Sequence, residues 1–363
     1  MEIRVSRREL LRVLNIVNRI IPKKPVNPMM DYALVDKDDN GIWVSGMNEG
    51  GQLAVRLNCE CIGDFGRVCL PAGQILPALG TIPEQMLAVT VQDGKITVSY
   101  QSGSFDVAGG KADEFPEPRT FGDTTLRGFV MRADTFVQSA KRALACSSED
   151  MLRPQMSGVA LDVCSGSVTF VSTDGNVLFT CKQMPESASG TDGITILPRM
   201  ALPVAELMLA GKETVEVVDD GHCIRLRTDD AVLIVIGIEG KFPRYRSVFP
   251  APTMTAEAVK SDLISLIKRV SVFSAASGLF VMEIEDGRIS VKTEDLDFAK
   301  SAKSEMDIFS QAKICIGLNG ARMLNLLSVV ESEKVTLGFV DPAKAVVVKG
   351  ECSESVIMPM MLR

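Results

Sequence analysis

Apolar positions recur with helical spacing in three stretches of the chain. Over 7–20 (RRELLRVLNIVNRI), Leu10, Leu11, Leu14 and Val17, with Ile21 just beyond, fall on one face at i, i+3/i+4, i+7. The stretches 133–146 and 261–274 repeat the pattern, with Asp134 and Ser261 as cap-region residues. A second helix is expected in each third, over 71–80, 198–211 and 319–331. Two of these begin with Pro and finish at Gly, and Pro77 and Pro203 should kink or shorten their helices. Between helices the apolar positions alternate, as at 96–100, 167–171, 224–227 and 289–292, each reading as a half-buried strand with one wet face. Each third thus reads as strand, helix and three strands, done twice. Amphipathic helices need a sheet to bury against, so a two-layer α+β fold follows.

Turn signals carry the same period. Asn40-Gly41, Ser165-Gly166 and Asp286-Gly287 sit between alternating runs, the short-range hairpin signal, with glycine spacings of 125 and 121 residues. Asp93-Gly94, Asp220-Gly221 and Asp341-Pro342 form a second set, spaced by 127 and 121. One such dipeptide means little, but six in one phase mark a threefold internal repeat. Glu114-Phe115-Pro116-Glu117-Pro118 closes the first repeat, Lys241-Phe242-Pro243-Arg244-Tyr245 the second and Met358-Pro359-Met360 the third. The joints are short and Pro-containing, so they read as ordered junctions rather than flexible linkers. Three tandem domains are expected over 1–120, 121–248 and 249–363.

Composition first argues against nucleic acid, then for it. Of the residues, 46% are hydrophobic and only 5% aromatic, so aliphatic side chains build the cores. The net charge of −7 weakens any reading as a strongly basic binder. Its distribution is uneven, however. The segments 6–21, 66–82, 132–147, 198–212, 260–274 and 317–330, which hold the six helices, together carry +10, leaving −17 elsewhere. Solvated faces with i,i+4 pairs account for one such helix. Six in the same phase fit a surface that attracts a polyanion through its backbone charge without reading bases.

Catalysis is not signalled. His222 is the single histidine, so a His-rich metal site is excluded within one chain, and a Ser/His/Asp or Cys/His triad would need that residue. Asp36-Lys37-Asp38-Asp39 and Glu294-Asp295-x-Asp297 fall near predicted turns and read as solvated tips. No P-loop or G-x-G-x-x-G occurs, and Gly109-Gly110-Lys111 lacks the flanking pattern. The cysteines at 59, 61, 69, 146, 164, 181, 223, 315 and 352 include no C-x-x-C pair; they read as reduced, mostly buried thiols, with Cys59 and Cys61 on one strand face. MEIRVSRREL has no apolar signal core, and no apolar run approaches the roughly 18 residues of a membrane span. A cytoplasmic protein is expected, with no membrane partner, metal or cofactor.

The most specific motifs lie at the ends of the predicted domains. They are Val356-Ile357-Met358-Pro359-Met360-Met361-Leu362-Arg363, Lys241-Phe242-Pro243-Arg244-Tyr245-Arg246, Thr173-Asp174-Gly175 and Lys24-Pro25-x-x-Pro28. Through them the whole chain resembles the bacterial replicative sliding clamps, the β subunits of DNA polymerase III. The matching features there are a terminal VMPM-type motif, an FP-x-Y-R segment joining domains two and three, the start of a T-D-G-H-R turn and a basic-Pro loop. The resemblance implies an α+β fold of three tandem clamp domains, each a double βαβββ unit with helices on one face and antiparallel sheets on the other. It implies a non-catalytic processivity factor, a homodimer closed head to tail around double-stranded DNA without sequence preference.

The same resemblance assigns residues. Arg7, Arg8, Arg12, Lys24, Lys141, Arg142, Arg199, Lys268 and Arg269 would face DNA. A hydrophobic pocket between domains two and three would receive short linear peptides of the replicative polymerase, the clamp loader and repair proteins. Carried over by motif, it uses Met156, Thr173, Gly175, Val177, Leu178, Pro243, Val248, Val346, Val356, Ile357, Met358, Pro359 and Met360. Ring closure would join the edge strand Ser104-Phe105-Asp106-Val107 to the helix end Val272-Phe273. For pocket and seam residues alike, ordinary core packing is the competing role. The chain departs from the family at Asn176-Val177 (commonly His-Arg), at Ser247 (commonly Arg) and at Pro154-Gln155 after Arg153 (a Tyr pair). These departures change the rim and hence the peptide preference, not the apolar floor. The alternative function is a clamp-like protein-docking scaffold that does not encircle DNA; a hydrolase would need His222 or Asp174.

Overall fold

The computed structural model describes residues 2–362 except 64–65, 93, 123–125, 151 and 296–298. Asp93 of the second turn set, Asp297 of the acidic run and Arg363 of the terminal motif therefore lie outside the described residues. The first third runs β1 (Glu2–Ser6), α1 (Arg7–Val17), β2 (Ala33–Asp38), β3 (Gly41–Asn48), β4 (Gly51–Leu57), β5 (Glu60–Ile62), β6 (Val68–Leu70), α2 (Ala72–Thr81), β7 (Met86–Gln92), β8 (Lys95–Tyr100) and β9 (Gly103–Ala108). The second runs β10 (Arg127–Arg132), α3 (Ala133–Ala145), β11 (Val159–Cys164), β12 (Ser167–Thr173), β13 (Val177–Gln183), β14 (Ser187–Gly190), β15 (Gly193–Leu197), α4 (Ala201–Leu209), β16 (Thr214–Asp219), β17 (Cys223–Arg227) and β18 (Ala231–Ile236). The third runs β19 (Met254–Val259), α5 (Lys260–Ser271), β20 (Leu279–Glu285), β21 (Arg288–Asp295), β22 (Lys300–Asp307), β23 (Phe309–Ser310), β24 (Ile314–Asn319), α6 (Gly320–Val329), β25 (Lys334–Phe339), β26 (Val346–Lys349) and β27 (Ser353–Ile357).

The expected βαβββ pair thus recurs three times, with one addition. A short strand (β5, β14 or β23) precedes the second half and pairs antiparallel with the opening strand of its own third. At two to four residues these strands are too short to show a period of two. Among the described residues, two compact units form. One comprises 1–137, 186–190 and 200–237; the other comprises 138–185, 191–199 and 238–363. The first holds sheets of order β5-β1-β7-β8-β9 and β14-β10-β16-β17-β18-β4-β3-β2-β6. The second holds β15-β11-β12-β13-β27-β26-β25-β19-β23 and β22-β21-β20-β24. Within their own units, α1 lies on β3 and β4, α5 on β21 and β22, and α6 on β13 and β27.

Several local expectations shift. The buried face of α1 is Leu10, Val13, Leu14, Ile16 and Val17, while Leu11 and Ile21 are half-buried. Its cap is Ser6, whose hydroxyl accepts from the Glu9 N–H at 3.2 Å. Asp134 sits inside the first turn of α3, where it binds Arg132 and Thr135, and α5 has Val259 at its N-cap rather than Ser261. Pro198 lies outside α4, which starts at Ala201 so that Pro203 stays in the first turn, where no intrahelical donor is required. The β2–β3 loop is 39–40, because Asp38 pairs with Gly41, so the predicted Asn40-Gly41 turn is displaced by one residue. β12 has no wet face: Val171 packs with Phe242 and Tyr245, and on the opposite face Ser172 hydrogen-bonds to the Ala143 carbonyl.

Candidate functional site

The site region is built around the segment that precedes β19. Phe242 and Tyr245 are buried with Ala160, Val171, Leu178, Ile196, Ala345, Val347 and Val356, and Ile238 and Phe249 pack against them. A polar clamp fixes this segment to β11. Asp162, 3% exposed, accepts from the Tyr245 hydroxyl at 2.5 Å and from Arg246 at 2.6 Å. Burial, and then the Asp162 carboxylate, push the Tyr245 phenol up to about 12, so it remains a donor. The sequence motif revealed the segment; Asp162, more than 80 residues away, carried no local signal.

The β12–β13 turn explains Thr173-Asp174-Gly175 chemically. The Thr173 hydroxyl donates to the Val177 carbonyl at 2.6 Å and accepts from the Gly175 N–H at 3.0 Å. The Asp174 carboxylate accepts from the N–H groups of Asn176 and Val177, at 2.8 and 2.7 Å, and from Arg322 at 3.2 Å. Gly175 has φ +90°, which favours glycine. Arg322 was legible only as one more basic residue on the last helix; its ion pair to this turn is a tertiary feature.

Below the turn, Val177 pairs with Ile357 and Ile357 with Val346, while Leu178 pairs with Val356. All five are buried, Val177, Val346 and Ile357 on one face of the sheet and Leu178 and Val356 on the other, with Phe242 and Tyr245. Gly175, Val248 and Met358 are exposed, and Met156, Pro243, Pro359 and Met360 partly so. Thr173 is buried. The chain end is held twice, by the Met358 N–H to the Asn176 carbonyl and the Met360 N–H to the Gly317 carbonyl, both at 2.8 Å. Gly317 permits this, because a Cβ there would stand 2.7 Å from the Met360 carbonyl. Leu152 and Met361, about nine-tenths exposed, are apolar candidates that the motif comparison missed. At the departures, Arg153 is exposed with a guanidinium nitrogen 3.7 Å from the Cβ position of Gly175, and the Ser247 hydroxyl donates to the Arg244 carbonyl at 2.8 Å.

The nine candidate cations are not equivalent. Arg7 donates to the Leu79 and Gly80 carbonyls in the last turn of α2, at 2.8 and 3.0 Å. Arg12 pairs with Glu9 at 2.8 Å and Asp230 at 3.7 Å, and Arg142 with Glu331 at 3.8 Å. Burial pushes the Glu9 carboxyl up, but hydrogen bonds from Arg12 and the Asn58 N–H outweigh it and hold Glu9 below its usual range. Arg199 reaches Ser147 and Glu149, and Arg269 reaches Ser304. Lys141 is exposed. Arg8, Lys24 and Lys268 are exposed with no ion pair among the described residues.

At the expected seam, β9 is an edge strand on which Phe105 and Val107 are half-buried. Val272 caps α5 and is 76% exposed, with Phe273 at 43%. Neither residue at the C-terminal end of α5 is therefore spent on core packing.

Among the described residues no three His, Cys, Asp or Glu side chains are placed to hold a metal, and no helix is long and apolar enough to cross a membrane. Burial pushes the thiols of Cys59 and Cys69 up to about 11 and that of Cys146 to about 12. Cys59 and Cys61 line one cavity, but Cys59 lies outside β5, so the two do not share a strand face, and Cys315 and Cys352 are exposed rather than buried. Asp295 is buried, contrary to the solvated tip expected there.

Known proteins align with both ends of the chain. Residues 1–119 match the family model for the DNA polymerase III beta subunit N-terminal domain, and residues 246–361 match the C-terminal domain. The beta sliding clamp of Pseudomonas aeruginosa is 22% identical over all of both chains, and that of Salmonella typhimurium 23%. The crystal structure of the P. aeruginosa DNA polymerase III subunit beta superposes with a TM-score of 0.93 at 21% identity, covering 100% of each chain. That of Thermotoga maritima superposes with a TM-score of 0.90 at 19% identity and the same coverage.

Proposed function

We propose that this chain, which belongs to the DNA polymerase III β-subunit family, closes with a second copy into a head-to-tail ring around duplex DNA. The observation that carries the reading is the phase of its charge: basic helices recur in each third of an otherwise acidic chain. A ring retains DNA by topology, so individual phosphate contacts can be weak and salt-sensitive. Arg8, Lys24 and Lys268 are the main phosphate contacts in this reading and Lys141 adds to the same field, with Arg7, Arg12, Arg142, Arg199 and Arg269 contributing less because carbonyls, hydroxyls or carboxylates already engage them. The acidic remainder limits stray association with nucleic acid.

The three repeats, with boundaries near 120 and 248, act as the clamp domains. Closure uses β9 of one chain and the α5 end of the other, with Phe105, Val107, Val272 and Phe273 at the seam. The region of Met156, Thr173, Gly175, Pro243, Val248 and Met358–Met360, with Leu178 and Val356 beneath it and Val177, Val346 and Ile357 backing the same strands, takes short apolar peptides of the polymerase, clamp loader and repair proteins. Met-rich apolar surfaces adapt to several such partners. The protein works without catalysis, in the cytoplasm.

The test is retention on DNA. Protein loaded onto nicked circular DNA should stay bound through gel filtration and be lost when the circle is cut. Equal retention on cut and uncut DNA, with ends unblocked, overturns the ring. A strictly monomeric chain in sedimentation, with peptide binding intact, favours a docking scaffold instead.

A further inference from the structure

We propose that a cleft bounded by the segment 242–247 is a second binding site, for a small planar aromatic carboxylate. The cleft encloses about 540 Å³ between Asp162, Val163 and Cys164 of β11, Asp192 to Ile194 at the start of β15, and the segment 242–247. That volume lies within the roughly 300–1,000 Å³ of small-ligand pockets. Of the residues assigned to the peptide pocket, only Pro243 lines it.

Its lining specifies a ligand type. Val163 and Phe242 are buried, and Ile194 and Pro243 offer apolar surface. The Arg246 guanidinium is held by the buried Asp162 and lies 5.7 Å from the Tyr245 ring centroid, yet its side chain is 61% exposed. It is therefore a fixed flat surface on which a planar ring can stack. Arg244 is exposed, and nothing among the described residues engages its guanidinium. Asp192, the other charge on the cleft, already accepts from the Ser165 N–H at 3.1 Å and the Cys164 thiol at 3.5 Å. The Ser247 hydroxyl turns back onto the Arg244 carbonyl, which keeps the mouth clear. A cationic ligand would meet Arg244 and Arg246 together, and a neutral one would leave Arg244 unanswered. An aromatic ring with one carboxylate satisfies both the floor and Arg244.

The experiment titrates the full chain with 2-naphthoate and, in parallel, the neutral 2-naphthamide, by calorimetry. Saturable one-site binding of naphthoate is expected. Arg244→Ala should weaken naphthoate about tenfold, the loss of one charge-assisted hydrogen bond, and leave naphthamide unchanged. Ile194→Trp should fill the cleft and remove both. Should that variant fold poorly, the wild-type chain supplies the same answer: naphthoate should slow alkylation of Cys164 by iodoacetamide. Absence of saturation, equal weakening of both probes by Arg244→Ala, or unchanged Cys164 alkylation overturns the site.

Discussion

Replacing Asp162 by Ala should cost the unit containing β11 about 2–4 kcal/mol. The carboxylate is 3% exposed and accepts from two donors of different standing. The Tyr245 hydroxyl is buried, so its bond to a charged acceptor counts in full, at about 1.5–3 kcal/mol, including the penalty of a stranded donor. The Arg246 side chain is 61% exposed, so water screens its pairing, which counts as a surface ion pair at about 0.2–1 kcal/mol. The variants should therefore rank Asp162→Ala as most destabilising, Tyr245→Phe next and Arg246→Ala least. For a unit of this size each kcal/mol moves the melting temperature by about 2–4 °C, so thermal unfolding resolves the three. Hydrogen exchange at the amides of 242–247 should speed up in Asp162→Ala and hardly change in Arg246→Ala. If Arg246→Ala costs as much as Asp162→Ala, the burial reasoning is wrong and the exposed ion pair is the true clamp.

Other outcomes follow from the same geometry. Burial pushes the Glu331 carboxyl up, but the N–H of Cys352, the Ser353 hydroxyl and Arg142 pull it below its ordinary 4.5. Its folded value is thus depressed: its stabilisation is present above pH 4.5 and is lost as pH falls through the lower folded value. Glu331→Gln should flatten the acid limb of a stability–pH profile, and an unchanged limb refutes the assignment. Reversing Arg8, Lys24 and Lys268 to Glu should lower DNA retention and its salt dependence more than reversing Arg7, Arg12 and Arg142, measured on nicked circles; the opposite order counts against the charge ranking. Removing 359–363 should abolish peptide binding in fluorescence anisotropy while the melting temperature barely moves, since the β27 pairings remain. Phe105→Glu with Phe273→Glu should shift sedimentation from dimer to monomer.

Helices and hairpins were legible because each is a local pattern. Leu10, Leu14 and Val17 recur at helical spacing, and Ser165-Gly166 and Asp286-Gly287 close their hairpins where the sequence places them. The additional strands β5, β14 and β23 were not legible, since pairing to a distant strand creates them and not their own composition. Of the candidate site, Thr173-Asp174-Gly175 and the Met358–Met360 tail were found by motif. Their partners were not: Asp162 for Tyr245, Arg322 for Asp174 and Gly317 for Met360 sit far away in the chain and look ordinary in isolation. Burial was the other missing quantity. Alternation marks Val346 and Ile357 as apolar, but it does not say how completely they are buried.

The repeats and the compact units are out of phase. Strand β18 bonds to β4 and strand β13 to β27, so each nine-stranded sheet draws on two repeats. The middle repeat is shared out, with 186–190 and 200–237 belonging to one unit and 138–185 and 191–199 to the other. Cutting the chain at a repeat boundary would leave each fragment with a raw, unpaired strand edge, the template on which chains aggregate. A molecule whose repeats share sheets in this way does not come apart into thirds: its cooperative melting steps should number two, and none should correspond to a single repeat.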